Sequence, residues 1–214
     1  TPPIIRIDDK YEAAEGWRST WTVALRASIV HEMFHASQQA YVDPLTVWKP
    51  VTMNWIWEGT SAWIEDELPA LDSVNTYLPA QDNYAVQFTS VPETSLDQRA
   101  GYAAYGTMLF YKYLSEHNIS IRQWLENLSA LNLSAPDNAK ALTTLGDAIK
   151  LVTNNRNPFD IYSDFSAAAI AKTGPSGFSD DGAAQLPDAA RVARSTETGF
   201  QLNLAQPRKD INLC

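Results

Sequence analysis

The sequence predicts a mostly α chain of the α+β kind, with a small N-terminal β component and a helical C-terminal half. Three observations carry this. Apolar residues recur at helical spacing in several stretches between residues 20 and 171. Those stretches are closed by Pro, Gly or Asn at places where a helix has to stop. Strand-like alternation is confined to short early runs, so the sheet is the smaller component. With 214 residues, 45% of them hydrophobic and 11% aromatic, the chain is long enough to bury a substantial core.

Taken in order, Pro3 to Asp8 sets Ile5 and Ile7 against Arg6 and Asp8 and reads as a short strand. Residues 9–16 are polar loop. Ser19-Thr20 opens a helix that runs to about Tyr41, before Val42-Asp43-Pro44. Between Trp21 and Ala36 only Arg26 and Glu32 are formally charged. A helix apolar almost all round belongs in the middle of a fold. Asn54 caps a second helix, from about Trp55 to Leu68, which Pro69 stops. Leu71–Leu78 suits a short helix and Tyr84–Phe88 a short strand. Ala100 to His117 reads as one helix on the spacing of Tyr102, Tyr105, Leu109, Tyr113 and Leu114, and Ser120 caps the next, through Leu131. Pro136 opens a helix to about Val152, and a last one runs from Pro158 to Ala171. Two units follow: residues 1–174, and a Gly/Ser/Asp/Pro-rich linker with an appendage over 175–214, where Arg191–Leu204 suits a pair of short strands.

Charge and cysteine usage narrow the function classes. Sixteen Lys+Arg against 25 Asp+Glu give a formal net charge of −9, without the basic footprint of a nucleic-acid binder. Such a chain is repelled by anionic lipid, and no apolar run reaches transmembrane length. Neither nucleic acid nor membrane is therefore an expected partner. Cys214 is the single cysteine, so no intrachain disulfide forms. A cysteine-poor chain fits either the cytoplasm or a bacterial exoprotein. Thr1-Pro2-Pro3 reads as a processed boundary, and a secreted or extracellular setting is the expectation.

The chemistry concentrates in Ile29-Val30-His31-Glu32-Met33-Phe34-His35-Ala36. Histidines four apart on a helix stand one turn above the other on a single face, where both imidazoles can reach one metal ion. Glu32 can reach a water on that ion and suits the role of general base. In a buried helix such polar groups need partners. A catalytic zinc takes three protein ligands and keeps one position open. The chain has only three His. His117 sits at a helix end, where imidazole suits the last carbonyls and the dipole. Position 41, where a third His six residues past His35 would stand, is Tyr41, and Gln38 stands where an extended motif has Gly. The third ligand is therefore expected to be a carboxylate. Trp55-Ile56-Trp57-Glu58-Gly59-Thr60-Ser61-Ala62-Trp63-Ile64-Glu65-Asp66 is the stretch that offers one.

Together the two stretches resemble the gluzincin metallopeptidases. There a His-Glu-x-x-His helix is followed by a second helix reading Trp-x-x-Glu-Gly-x-x-x-aromatic-x-Glu in the aminopeptidase-like branch. Trp55, Glu58, Gly59, Trp63 and Glu65 stand at those positions. The resemblance covers about residues 20–67. It implies a zincin-like domain over 1–174, one zinc ion per chain, ligands His31, His35 and Glu58, and Glu32 as the base. Two departures are plain: twenty-two residues lie between His35 and Glu58, and Trp57 stands where many relatives have Asn. Glu65, and after it Asp66, are the carboxylates expected to orient a ligating His. Tyr102 and Tyr105 are the candidates to donate to the oxyanion of a tetrahedral intermediate.

The expected activity is a zinc metalloendopeptidase acting on a peptide or protein substrate. An aminopeptidase of the same clan is the alternative, but residues 1–30 hold no Gly-x-Met-Glu-Asn-like motif to anchor a substrate amine. A zinc-bound but inactive interaction domain is the third reading.

Overall fold

The computed structural model describes residues 21–41, 53–67, 84, 88, 94–131 and 137–171. Among them the order is α1 (Trp21–Tyr41), α2 (Asn54–Glu67), a 3₁₀ turn (Leu96–Gln98), α3 (Tyr102–Tyr105), α4 (Met108–Glu116), α5 (Ile121–Ala130), α6 (Asn138–Val152) and α7 (Pro158–Ala171). The described residues are mostly helical and contain no strand. The expected strands at 3–8 and 191–204, the short helix at 71–78 and the boundary at 174/175 lie outside them. No helix among the described residues is long and apolar enough to cross a membrane.

The centre of the arrangement is α2. It packs on α1 along one side and on α3 and α4 along the other. Gly59 permits the second contact: a Cβ there would stand 1.8 Å from Thr107 Oγ1 and 2.9 Å from the Tyr111 ring. The first turn of α2 is then fixed from α4's side, because the Thr107 and Tyr111 hydroxyls both donate to the Trp55 carbonyl, at 2.8 and 3.1 Å. Trp55, Tyr111 and Trp124 stack beneath it, all completely buried. Each buried indole N–H finds an acceptor: Trp55 at Asn138 Oδ1 and Trp124 at the Ala141 carbonyl.

Two expectations need correcting. Ala100–His117 is not one helix but α3 and α4, broken at Gly106-Thr107. A Cβ at Gly106 would lie 2.6 Å from both Phe88 N and Tyr84 O, so this backbone is pressed against another segment. The break lets the Thr107 hydroxyl reach the Ala104 and Trp55 carbonyls. Tyr84 and Phe88, read as strand, are helical. Residues four apart share a face in a helix as in a strand, so the pattern does not separate the two. Both are buried, Tyr84 stacked on Tyr105 and Phe88 edge-on to Phe165.

The other helix ends follow their sequence signals. Ser120 caps α5 as expected, accepting from Gln123 N, whereas α6 starts two residues after the expected Pro136, capped by Asp137, which accepts from Lys140 N. Asn118, in the left-handed region at φ 61°, closes α4, and Ile119 N returns to the Leu114 carbonyl.

Candidate metal centre

Three side chains meet where α1 crosses α2. His31 and His35 are four residues apart on α1, and their rings lie 4.6 Å apart at 87°. Across from them, Glu58 Oε2 stands 3.1 Å from His31 Nε2 and 3.5 Å from His35 Nε2. One ligand atom of each residue lies within 4.8 Å of the other two, a set that can hold a metal ion. Both histidines are buried, while Glu58 is partly exposed.

The Nδ1 atoms explain why the Nε2 atoms face inward. His31 Nδ1–H donates to Glu65 Oε1 at 2.8 Å, and Glu65 is 2% exposed. His35 Nδ1–H donates to Gln38 Oε1 at 2.7 Å, with the Ser61 hydroxyl 3.0 Å away. A ring nitrogen tied up as donor leaves the other as the lone-pair atom. Two imidazole nitrogens and a carboxylate oxygen suit a divalent transition metal, zinc among them. The donor set therefore fits the expected zinc, and the structure supports a metal-binding group of His31, His35 and Glu58.

Aromatic rings close the flanks. Trp57 stacks on His35 at 4.5 Å and 11°, and Tyr105 on His31 at 5.6 Å and 15°. Both are half-buried.

Charge is tightly coupled here. Burial disfavours an imidazolium at His31, but hydrogen bonds with Glu58 and Glu65 outweigh it, and its pKa is pushed up to about 9. Burial likewise disfavours ionised Glu58, yet His31 and His35 hold it down to about 2. A proton on His31 Nε2 and a cation compete for the same lone pair, so a cation bound there releases that proton. Burial, then the charge of Glu58 and a hydrogen bond with it, pushes the Tyr105 phenol well up, so it stays a donor.

The remaining expected residues fall as follows. Glu32 is exposed on α1 beside His31, outside the converging set. Glu65 reaches His31 from two turns beyond Glu58. Asp66 does not accompany it: its carboxylate pairs with buried Lys112 of α4. Successive residues point about 100° apart round a helix, so adjacent acids take different partners. Glu67 turns elsewhere again, accepting from Trp63 Nε1 and Ser115 Oγ. His117 donates Nδ1–H to the Tyr113 carbonyl at the end of α4, away from the cluster. The Tyr102 side chain lies outside the described residues.

Sequence reasoning passed over Gln38, Thr60 and Ser61, all buried around His35. Their signal was position: Gln38 is one turn past His35, and Ser61 one turn past Glu58, in helices that are otherwise largely apolar.

No protein-family model matches the chain, and no curated protein or solved structure does. The functional reading therefore rests on the motif and on this geometry.

Proposed function

We propose that the chain is a zinc-dependent metallopeptidase of the gluzincin kind, acting as an endopeptidase. The observation that supports it most is the convergence of His31 Nε2, His35 Nε2 and Glu58 Oε2, with both Nδ1 atoms held by acceptors. Zinc held by these three residues supplies a Lewis acid that makes water a nucleophile at neutral pH. Glu32, exposed next to His31, takes the proton of the attacking water and hands it to the leaving amine. Tyr105, kept protonated against His31, is the donor for the oxyanion. Glu65 and Gln38 keep the two imidazoles aimed.

The test is hydrolysis of N-terminally blocked peptides by the wild-type chain and by Glu32→Gln. The wild type should cut internal bonds. The variant should keep its fold and its zinc and lose more than the roughly 10²–10⁴-fold assigned to proton transfer. Release of single residues from free N-termini alone would favour the aminopeptidase. Bound zinc without cleavage of any unfolded protein would favour the inactive interaction domain.

A further inference from the structure

His31 and His35 are steadied by different chemistry, and the difference singles out Gln38. His31 leans on a carboxylate, Glu65. His35 leans on a neutral carboxamide that is 5% exposed and uses its whole hydrogen-bonding capacity. Gln38 Oε1 accepts from His35 Nδ1 at 2.7 Å and from the Ser61 hydroxyl at 3.5 Å. Gln38 Nε2 donates to the Trp57 carbonyl at 3.1 Å and to Thr60 Oγ1 at 2.7 Å. The Thr60 hydroxyl spends its own proton on the Ile56 carbonyl at 2.7 Å, so toward Gln38 it can only accept.

These contacts form a chain of necessity. A backbone carbonyl cannot donate, so the amide NH₂ must face Trp57 and Thr60. The amide oxygen must then face His35. An oxygen there requires the proton on Nδ1, which leaves the Nε2 lone pair toward Glu58. We propose that Gln38 is the positioning residue that sets the tautomer of His35 and ties this ligand to the backbone of α2 next to Glu58. The proposal rests on the metal reading above and adds a specific device to it. Trp57 holds His35 twice, through its ring by stacking and through its carbonyl by way of Gln38. The two ligand-bearing helices are thus registered on each other at His35, without adding a charge to the site.

The experiment reads the ¹⁵N ring signals of His35 in zinc-free protein at mildly alkaline pH, together with zinc affinity by competition with a chromophoric chelator. Wild type should show the Nδ1–H tautomer. Gln38→Leu, close in volume but without polar atoms, should lose that preference and bind zinc about 10–100-fold more weakly, with the His31 signals unchanged. Gln38→Glu loses the donors to Trp57 and Thr60, at a cost in stability, but keeps an acceptor at Nδ1 and should keep the proton there. A merely structural glutamine would lower the melting temperature of the Leu variant while leaving the ring signals and zinc affinity alone, and that result overturns the proposal. An Nε2–H tautomer in wild type or in Gln38→Glu overturns it too, even if the Leu variant does not fold. A wild-type chain that takes up no zinc yet holds the Nδ1–H tautomer defeats the metal reading and leaves the role of Gln38 in setting the ring intact.

Discussion

The α1–α2 pair and the α5–α6 pair are built on opposite plans. In α5 and α6 the pattern is ordinary: Ser120 and Asp137 cap the starts, Trp124, Leu125, Leu128, Leu142, Leu145 and Ile149 face inward, and charges such as Arg122 and Glu126 stay in solvent. In α1 and α2 the polar groups are inside. His31, His35, Gln38, Thr60, Ser61 and Glu65 are all buried at the crossing, while Met33 stands 57% exposed on the outside of α1. Burying polar groups is costly unless each is partnered, and here each has a partner within hydrogen-bonding distance. One pair is arranged for stability; the other uses its interior to hold donors in place.

The widest separation of the two plans comes from neighbouring acids at the end of α2. Asp66→Asn breaks the buried pair with Lys112, and thermal or denaturant unfolding should show a loss of about 3–5 kcal/mol. Zinc affinity of the folded fraction should hardly change. Glu65→Gln should do the reverse, weakening zinc about 10–100-fold through His31 with a smaller loss of stability. Equal effects of the two substitutions on zinc would erase the distinction.

The acidity of the crossing gives the next effect. With the pKa of His31 raised to about 9, zinc must displace its proton at any lower pH. Zinc affinity should climb about tenfold per pH unit from near neutrality and level off near pH 9. In zinc-free protein the raised pKa stabilises the fold fully below His31's ordinary value, and that contribution is lost as pH rises through about 9. The depressed Glu58 adds stability above the ordinary Glu range and loses it as pH falls toward 2. Stability of zinc-free protein followed against pH checks both limbs.

The smallest effect belongs to the ordinary pair of helices. The Arg122–Glu126 pair is solvent-exposed, so Arg122→Ala should shift stability by at most about 1 kcal/mol and leave zinc binding unchanged.

Sequence and structure agree where one physical rule dominates. The ends of α1, α2 and α7 follow from capping residues, Pro and Gly, and the i, i+4 spacing of His31 and His35 fixes their shared face. Glu65 could be placed because two helical turns separate it from Glu58. What escaped depends on contacts between distant segments. The break at Gly106-Thr107 is set by the backbone at Tyr84 and Phe88, which helical periodicity cannot show. Adjacency in sequence groups Asp66 with Glu65, although the partner of Asp66, Lys112, lies on another helix. Gln38 carries no motif of its own and gains its role only when α2 brings Trp57 and Thr60 against it.

We propose that the α1–α2 crossing holds one zinc through His31, His35 and Glu58. The most direct measurement is a zinc titration of chelator-stripped wild-type protein beside Glu58→Ala, with elemental analysis of each after dialysis. Wild type should retain one zinc per chain, and Glu58→Ala should retain almost none while keeping its helical content. A wild-type chain that stays empty after refilling, or a Glu58→Ala chain that keeps its zinc, would rule out zinc held by these three residues.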